Sequence, residues 1–184
     1  MDDDEITRAA FAAAKGDAAA ARRFVAGTQR QLHRLLSYLS SPGVADDLTQ
    51  ETYLRAFAAL SGFEGRSPAR MWLLAIAKRV AADHLRTIRR RPVPAQTEDW
   101  VATAEQNGAY TPDPGRVVAL RRLITELDAE RRDAFVLTQV IGLSYAEAAE
   151  VCDCALGTIR SRVFRAREEL TAAVRASERL APSG

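Results

Sequence analysis

The chain has 184 residues, 47% of them apolar but only 7% aromatic, with a formal net charge of +2. That length suits one ordinary domain or two small ones, and the absence of any run of roughly 18 apolar residues excludes a membrane-spanning helix. Ala and Leu supply most of the apolar mass, and no β-branched run alternates with period two, so the composition predicts an all-α protein. The near-zero net charge hides local clusters. Arg86, Arg89, Arg90 and Arg91 crowd one segment, and Arg160, Arg162, Arg165 and Arg167 fall in another that holds no acid from 155 to 167. Basic clusters in a nearly neutral chain point to polyanion contacts at defined places. The opening Met1-Asp2-Asp3-Asp4-Glu5 has the wrong charge for a secretory signal, which places the expected location in the cytoplasm.

In chain order, Ile6 to Ala14 predicts a short Ala-rich helix, and Asp17 can cap the next one. Phe24, Thr28, Leu32, Leu35, Leu36 and Leu39 keep a helical stripe as far as Ser40, and Ser41-Pro42-Gly43 breaks it. Asp46 to Leu60 is the third predicted helix, and Ser61 to Pro68 a loop. Met71 to Arg90 is the fourth, with a stripe of Leu73, Ile76, Ala77, Val80, His84 and Ile88. Trp72, among apolar neighbours, reads as core packing. Residues 92–116 carry four prolines and an acidic balance with no period, as a flexible linker does. A helical turn around Trp100 and an anchoring role for its ring are both open.

The pattern returns at Val117. Leu120, Leu123, Ile124 and Leu127 form one stripe, and Ala134, Leu137, Val140 and Ile141 the next. Gly142 suits a helix C-cap. Ser144-Tyr145-Ala146-Glu147 is a capping box, in which hydroxyl and carboxylate each satisfy an orphan backbone group. That box starts a short helix to about Cys152, a tight turn follows at Asp153 and Cys154, and a last helix runs from Leu156 to about Ala176. Residues 177–184 read as a tail. Ile159, Val163, Ala166 and Leu170 share one face of the last helix, so Arg160, Ser161, Phe164, Arg165 and Arg167 point elsewhere, with Arg162 at the margin. A capped helix, a tight turn and a second helix make helix-turn-helix arithmetic. Arg can bond guanine O6 and N7 with two donors, Ser can bond several base edges, and Phe can pack on a thymine methyl. Thr158 and the first amides of that helix suit a phosphate.

Stretches in both halves of the chain resemble the extracytoplasmic-function group of RNA polymerase sigma factors, within the sigma-70 family. Gly142-Leu143-Ser144-Tyr145-Ala146-Glu147-Ala148-Ala149 followed by Gly157 through Arg167 is similar to region 4. Asp46 through Ala56 resembles region 2.2, and Trp72 through Ala77 with the basic helix end after it resembles regions 2.3 and 2.4. The resemblance implies two small helical domains: residues 1–91 as region 2, a linker at 92–116, and residues 117–176 as a four-helix region 4 containing the helix-turn-helix. It implies an alternative sigma factor that binds core polymerase and directs promoter-specific initiation. Asp47, Gln50, Glu51 and Leu54 would meet the β′ clamp helices. Phe63, Arg66, Ser67, Lys78, Arg79, Asp83 and Arg86 would take the minus-ten DNA, where an unwound strand needs a base pocket and a basic track. Thr158, Arg160, Ser161, Arg162, Phe164, Arg165 and Arg167 would take the minus-thirty-five DNA, with the β flap also touching region 4. An anti-sigma factor is an expected partner. Two positions depart from the family pattern: Arg79 stands where many members carry Asn, and Ala155 where many carry Pro.

Other classes fit less of the chain. Neither a Gly-rich phosphate loop nor a nucleophile-base set suggests an enzyme, a cofactor or a small-molecule substrate. Cys152 and Cys154 lack a second pair, and His33 and His84 fall in the other domain, so no metal is expected. A stand-alone helix-turn-helix regulator would explain residues 117–176 and leave 44–91 without a role.

Overall fold

Asp2 starts the first helix by accepting the Glu5 amide at 2.7 Å while the Glu5 carboxylate accepts the Asp2 amide at 3.1 Å, so each closes one orphan donor of the other. The computed structural model describes residues 1–90 and 114–180. Its elements are α1 (Asp3–Ala14), α2 (Ala18–Leu39), α3 (Pro42–Ala59) with a 3-10 turn at Leu60–Gly62, and α4 (Ala69–Arg90). Then follow α5 (Pro114–Glu126), α6 (Ala129–Phe135) running into a π turn at Val136–Val140, α7 (Tyr145–Cys152) and α8 (Leu156–Leu180). The described residues contain no strand, as the composition predicts.

The ends of these helices follow local chemistry. Asp17 accepts the amides of Ala19 and Ala20 at 2.8 and 2.9 Å, and the Ala20 hydrogen bond above all holds its carboxyl below the usual range. Ser40 and Ser41 end the α2 stripe as expected, but Pro42 and Gly43 do not lie in the break. They are the first turn of α3, where a missing N–H costs nothing and the fixed φ of proline suits the helix. Helices α1 and α4 likewise begin earlier than their stripes, at Asp3 and Ala69, and α8 continues four residues past Ala176. Of the expected linker, residues 92–113 and with them Trp100 lie outside the described residues, and 114–116 belong to α5. The π turn leaves no sequence signature.

Two cores result. In the first, Phe24, Leu32, Leu35, Leu36 and Leu39 of α2 meet Ile6 and Ala10 of α1, Leu48 and Ala56 of α3, and Leu73, Leu74 and Ala77 of α4. Each large aliphatic or aromatic side chain so buried contributes about 1.5–3 kcal/mol. Within the expected α4 stripe Leu73, Ala77 and Val80 are buried, Ile76 and His84 half-buried and Ile88 exposed, because the helix outruns the core. In the second, Ile124, Leu137, Ala148 and Val151 close on Ile159, Val163, Ala166 and Leu170 of α8.

The units meet where α4 packs on α7, and where α2 packs on the π turn and on α5. Arg70 Nη2 reaches Glu147 Oε1 at 3.5 Å, and the Arg121 guanidinium sits 4.6 Å over the Tyr38 ring. Asp133 of α6 lies at this seam, and burial pushes its carboxyl up to about 6, against the attraction of Lys78, Arg132 and Arg162. A carboxyl with a folded pKa above its unfolded one stabilises the fold fully below about pH 4, and that contribution is lost as pH rises through about 6. Asp133→Asn stays neutral throughout. The stability of this variant relative to wild type is therefore expected to rise between pH 4.5 and pH 7, as read by urea unfolding at the two pH values.

Candidate nucleic-acid interface

Helix α7 opens on its capping box, with Glu147 N donating to Ser144 Oγ at 3.2 Å and Ser144 N to Glu147 Oε2 at 2.7 Å. Gly142, at φ +83°, turns the chain just before it. Asp153 closes α7 in the left-handed region at φ 51°, and the Cys154 amide folds back to the Ala149 carbonyl at 3.1 Å. Ala148 and Ala149 are both buried and small, which lets α7 and α8 approach closely. The resulting helix-turn-helix buries Ile159, Val163, Ala166 and Leu170 and turns Arg160, Ser161, Phe164 and Arg165 outward, with Phe164 62% exposed.

The arginines of α8 divide by partner. Among the described residues no carboxylate pairs with Arg160 or Arg165. Arg162 is half-buried, ion-paired with Glu130 of α6, and lies 3.6 Å from Cys154 Sγ. Arg167 donates to Gln139 Oε1 at 2.5 Å. The Ser161 hydroxyl bonds back to the Thr158 carbonyl at 2.9 Å, and Thr158 is half-buried. An outward-facing aromatic between two unpaired guanidinium groups suits a polyanion that also offers apolar edges, as a DNA groove does.

On the first unit, the loop after the 3-10 turn places Glu64 and Arg66 on the surface, ion-paired at 2.5 Å, with Ser67 half-buried. Phe63 is buried between the rings of Phe11 and Trp72, each 5.1 Å away, so it forms the floor of the loop. Trp72 packs against the core, as its apolar neighbours suggest. Along α4, Arg79 and Arg86 are exposed, while Lys78 is half-buried and close enough to Asp133 and Cys152 of the second unit to influence both.

Asp47, Gln50 and Leu54 of α3 are exposed, Leu54 by 68%, and Phe57 beside them borders a shallow apolar cleft with Val25 and Ala26 of α2. Glu51 is half-buried and accepts from Arg55 Nε at 2.7 Å. Arg55 also donates through Nη1 to Asp83 Oδ2 at 2.8 Å, and Asp83 in turn pairs with Arg86. Hydrogen bonds from Arg55 first and Arg86 second hold the Asp83 carboxyl below its usual range. Arg55 thus joins the acidic face of α3 to the basic side of α4. Sequence reasoning missed it. The i,i+4 spacing to Glu51 was visible, but the partner 28 residues on was not.

Among the described residues no group of three or more His, Cys, Asp or Glu is placed to hold a metal, and no helix is long and apolar enough to cross a membrane. Cys152 and Cys154 are half-buried free thiols, and burial pushes Cys152 up to about 11, far from a reactive thiolate.

Comparison with known proteins matches the family model "Sigma-70 region 2" to residues 24–91 and "Sigma-70, region 4" to residues 118–170. The chain is 46% identical over 173 residues to the extracytoplasmic-function (ECF) sigma factor SigC of Mycobacterium tuberculosis, covering 93% of this chain and 92% of the relative. It is 32% identical over 166 residues to the ECF sigma-E factor of Escherichia coli, covering 85% and 87%. Among solved structures, CnrH in complex with the cytosolic domain of CnrY matches at a TM-score of 0.71 and 26% identity, over 95% of this chain and 99% of that one. The sigma factor RpoE of Bartonella quintana, in complex with the anti-sigma factor NepR, matches at 0.67 and 29%, over 84% and 96%. The chain therefore belongs to the sigma-70 family of RNA polymerase sigma factors, in its extracytoplasmic-function group.

Proposed function

We propose that this sigma factor divides promoter recognition between its two helical units and carries no chemistry of its own. Residues 1–91 act as region 2: the α3 face of Asp47, Gln50, Glu51 and Leu54 docks on the β′ clamp helices of core polymerase. The loop around Arg66 and Ser67, with Arg79 and Arg86 on α4, takes the unwound minus-ten strand. Residues 117–176 act as region 4, with α8 in the major groove of the minus-thirty-five element and the β flap against the same unit. The observation that carries this reading is the row Arg160, Phe164 and Arg165, exposed on a helix whose opposite face is fully buried. Anti-sigma partners are named for the solved relative from Bartonella quintana, and a protein of that kind is proposed as the regulator here. Such a factor works in the cytoplasm, where its polymerase is.

The division of the α8 arginines makes the reading testable. Replacing Arg160 or Arg165 with Ala removes an unpaired guanidinium, expected to reduce discrimination at particular minus-thirty-five base pairs by about 1–3 kcal/mol if the contact is bidentate. Arg162 and Arg167 are tethered at the flanks, and their loss should instead weaken all sequences alike and flatten the salt dependence. Promoter libraries randomised upstream and transcribed by each holoenzyme separate the two patterns. Equal loss on every library member for the Arg160 and Arg165 variants would place a different face in the groove. A stand-alone regulator, by contrast, would grip duplex DNA without polymerase.

The polymerase contact has its own check. Asp47→Arg puts a positive charge on an exposed point of α3, and against a basic coiled coil such a reversal costs on the order of several kcal/mol. Core polymerase binding is expected to fall with helicity unchanged. Wild-type affinity in this variant combined with Glu51→Lys would rule the docking face out.

A further inference from the structure

Helix α1 precedes the stretch matched by the region 2 family model, and nothing in the promoter-reading scheme above uses it. It has two working faces. Ile6, Ala9 and Ala10 are buried and belong to the core. Asp3, Thr7 and Phe11, spaced four residues apart and so in one row along the helix, all turn to the segment 63–70. The Phe11 ring lies 5.1 Å from that of Phe63. It also covers Gly65, where φ of +70° favours glycine and a Cβ would come within 2.6 Å of Phe11 Cζ, so a side chain there would have to displace the ring. Thr7 Oγ1 donates to the Asp3 carbonyl at 2.7 Å and accepts the Ala69 amide at 3.0 Å, one of the orphan donors at the start of α4. Asp3 grips Arg70 with both carboxylate oxygens, at 2.6 and 2.9 Å.

One row of α1 therefore holds the loop at both ends, and Glu64, Arg66, Ser67 and Pro68 stand between the attachments. The row is poorly suited to meet DNA itself, since the first turn of α1 carries Asp3, Asp4 and Glu5. We infer that α1 is the template of the minus-ten reading loop, and that Thr7 and Phe11 are positioning residues for minus-ten discrimination. This rests on the assignment of that loop to minus-ten DNA made above. A loop already held in its working shape does not have to be ordered when the base enters, and a site is only as selective as the shell that holds it.

The test uses full-length protein with core polymerase. Thr7→Val removes the hydroxyl and keeps the shape, and Thr7→Ser keeps the hydroxyl; Phe11→Ala removes the ring, and Phe11→Tyr keeps it. Each holoenzyme is assayed by run-off transcription on two promoter pools, one randomised at minus-ten and one at minus-thirty-five, beside core affinity and melting temperature. Thr7→Val and Phe11→Ala are expected to narrow the spread among minus-ten sequences by about fivefold, the worth of one hydrogen bond or so. The minus-thirty-five spread and core affinity should hold, and Thr7→Ser and Phe11→Tyr should restore wild-type selectivity. An unchanged minus-ten spread, or equal losses on both pools that follow the melting temperature, would overturn the inference. Arg66→Ala and Ser67→Ala separate it from its premise. If they shift minus-ten preference and the α1 variants do not, α1 is no template. If they shift nothing, the loop assignment fails and the inference falls with it.

Discussion

Arg70 is the side chain on which the first unit, its loop and the second unit converge. Its guanidinium is largely withdrawn from water, with 20% of the side chain exposed, and a charge so placed needs partners of its own. It finds Asp3 of α1 in a two-pronged pair, Gln31 of α2 at 3.4 Å and Glu147 of α7 at 3.5 Å. Because Arg70 is the second residue of α4, this network also fixes where the loop before it must end. The first helix, the start of α4 and the capping box of the second unit are thereby set relative to one another by one planar fork of donors.

Across the rest of the molecule, charge is distributed by whether it has an intramolecular partner. Arg55, Arg70, Arg131 and Arg162 are each bound to carboxylates of other elements, and these pairs lace the helices together. Surface pairs of this kind add little to stability individually. On α8 they tether Arg162 to Glu130, while Arg160 and Arg165 on the outward face have no carboxylate partner among the described residues. A guanidinium without a local partner keeps its donors free for a ligand. The net charge of +2 concealed this, since it counts paired and unpaired arginines alike.

The two units earn their stability in the same way but expose it differently. In α2 the buried stripe takes up most of the inner face, and the outer face is ordinary polar surface. In α8 the seam of Ile159, Val163, Ala166 and Leu170 is narrow, and what lies opposite is an aromatic ring and arginines, which is why we propose that helix as a reader as well as a support.

Much of this was written in the sequence because it depends on neighbours three or four residues apart. The Ser144–Glu147 capping box, the Asp17 cap, the turn at Gly142 and the buried seam of α8 all follow from local spacing, and the outward face of α8 follows from the seam. Pro42 was misread because proline ends one helix and begins another equally well, and only the chain around it chooses. Tertiary structure alone decided the rest. It brought Asp83 to Arg55, Glu130 to Arg162 and Asp133 towards Lys78, and laid Phe11 over Gly65. The partners in these pairs lie far apart in the chain. Periodicity tells which face of a helix is buried, but not which other helix buries it.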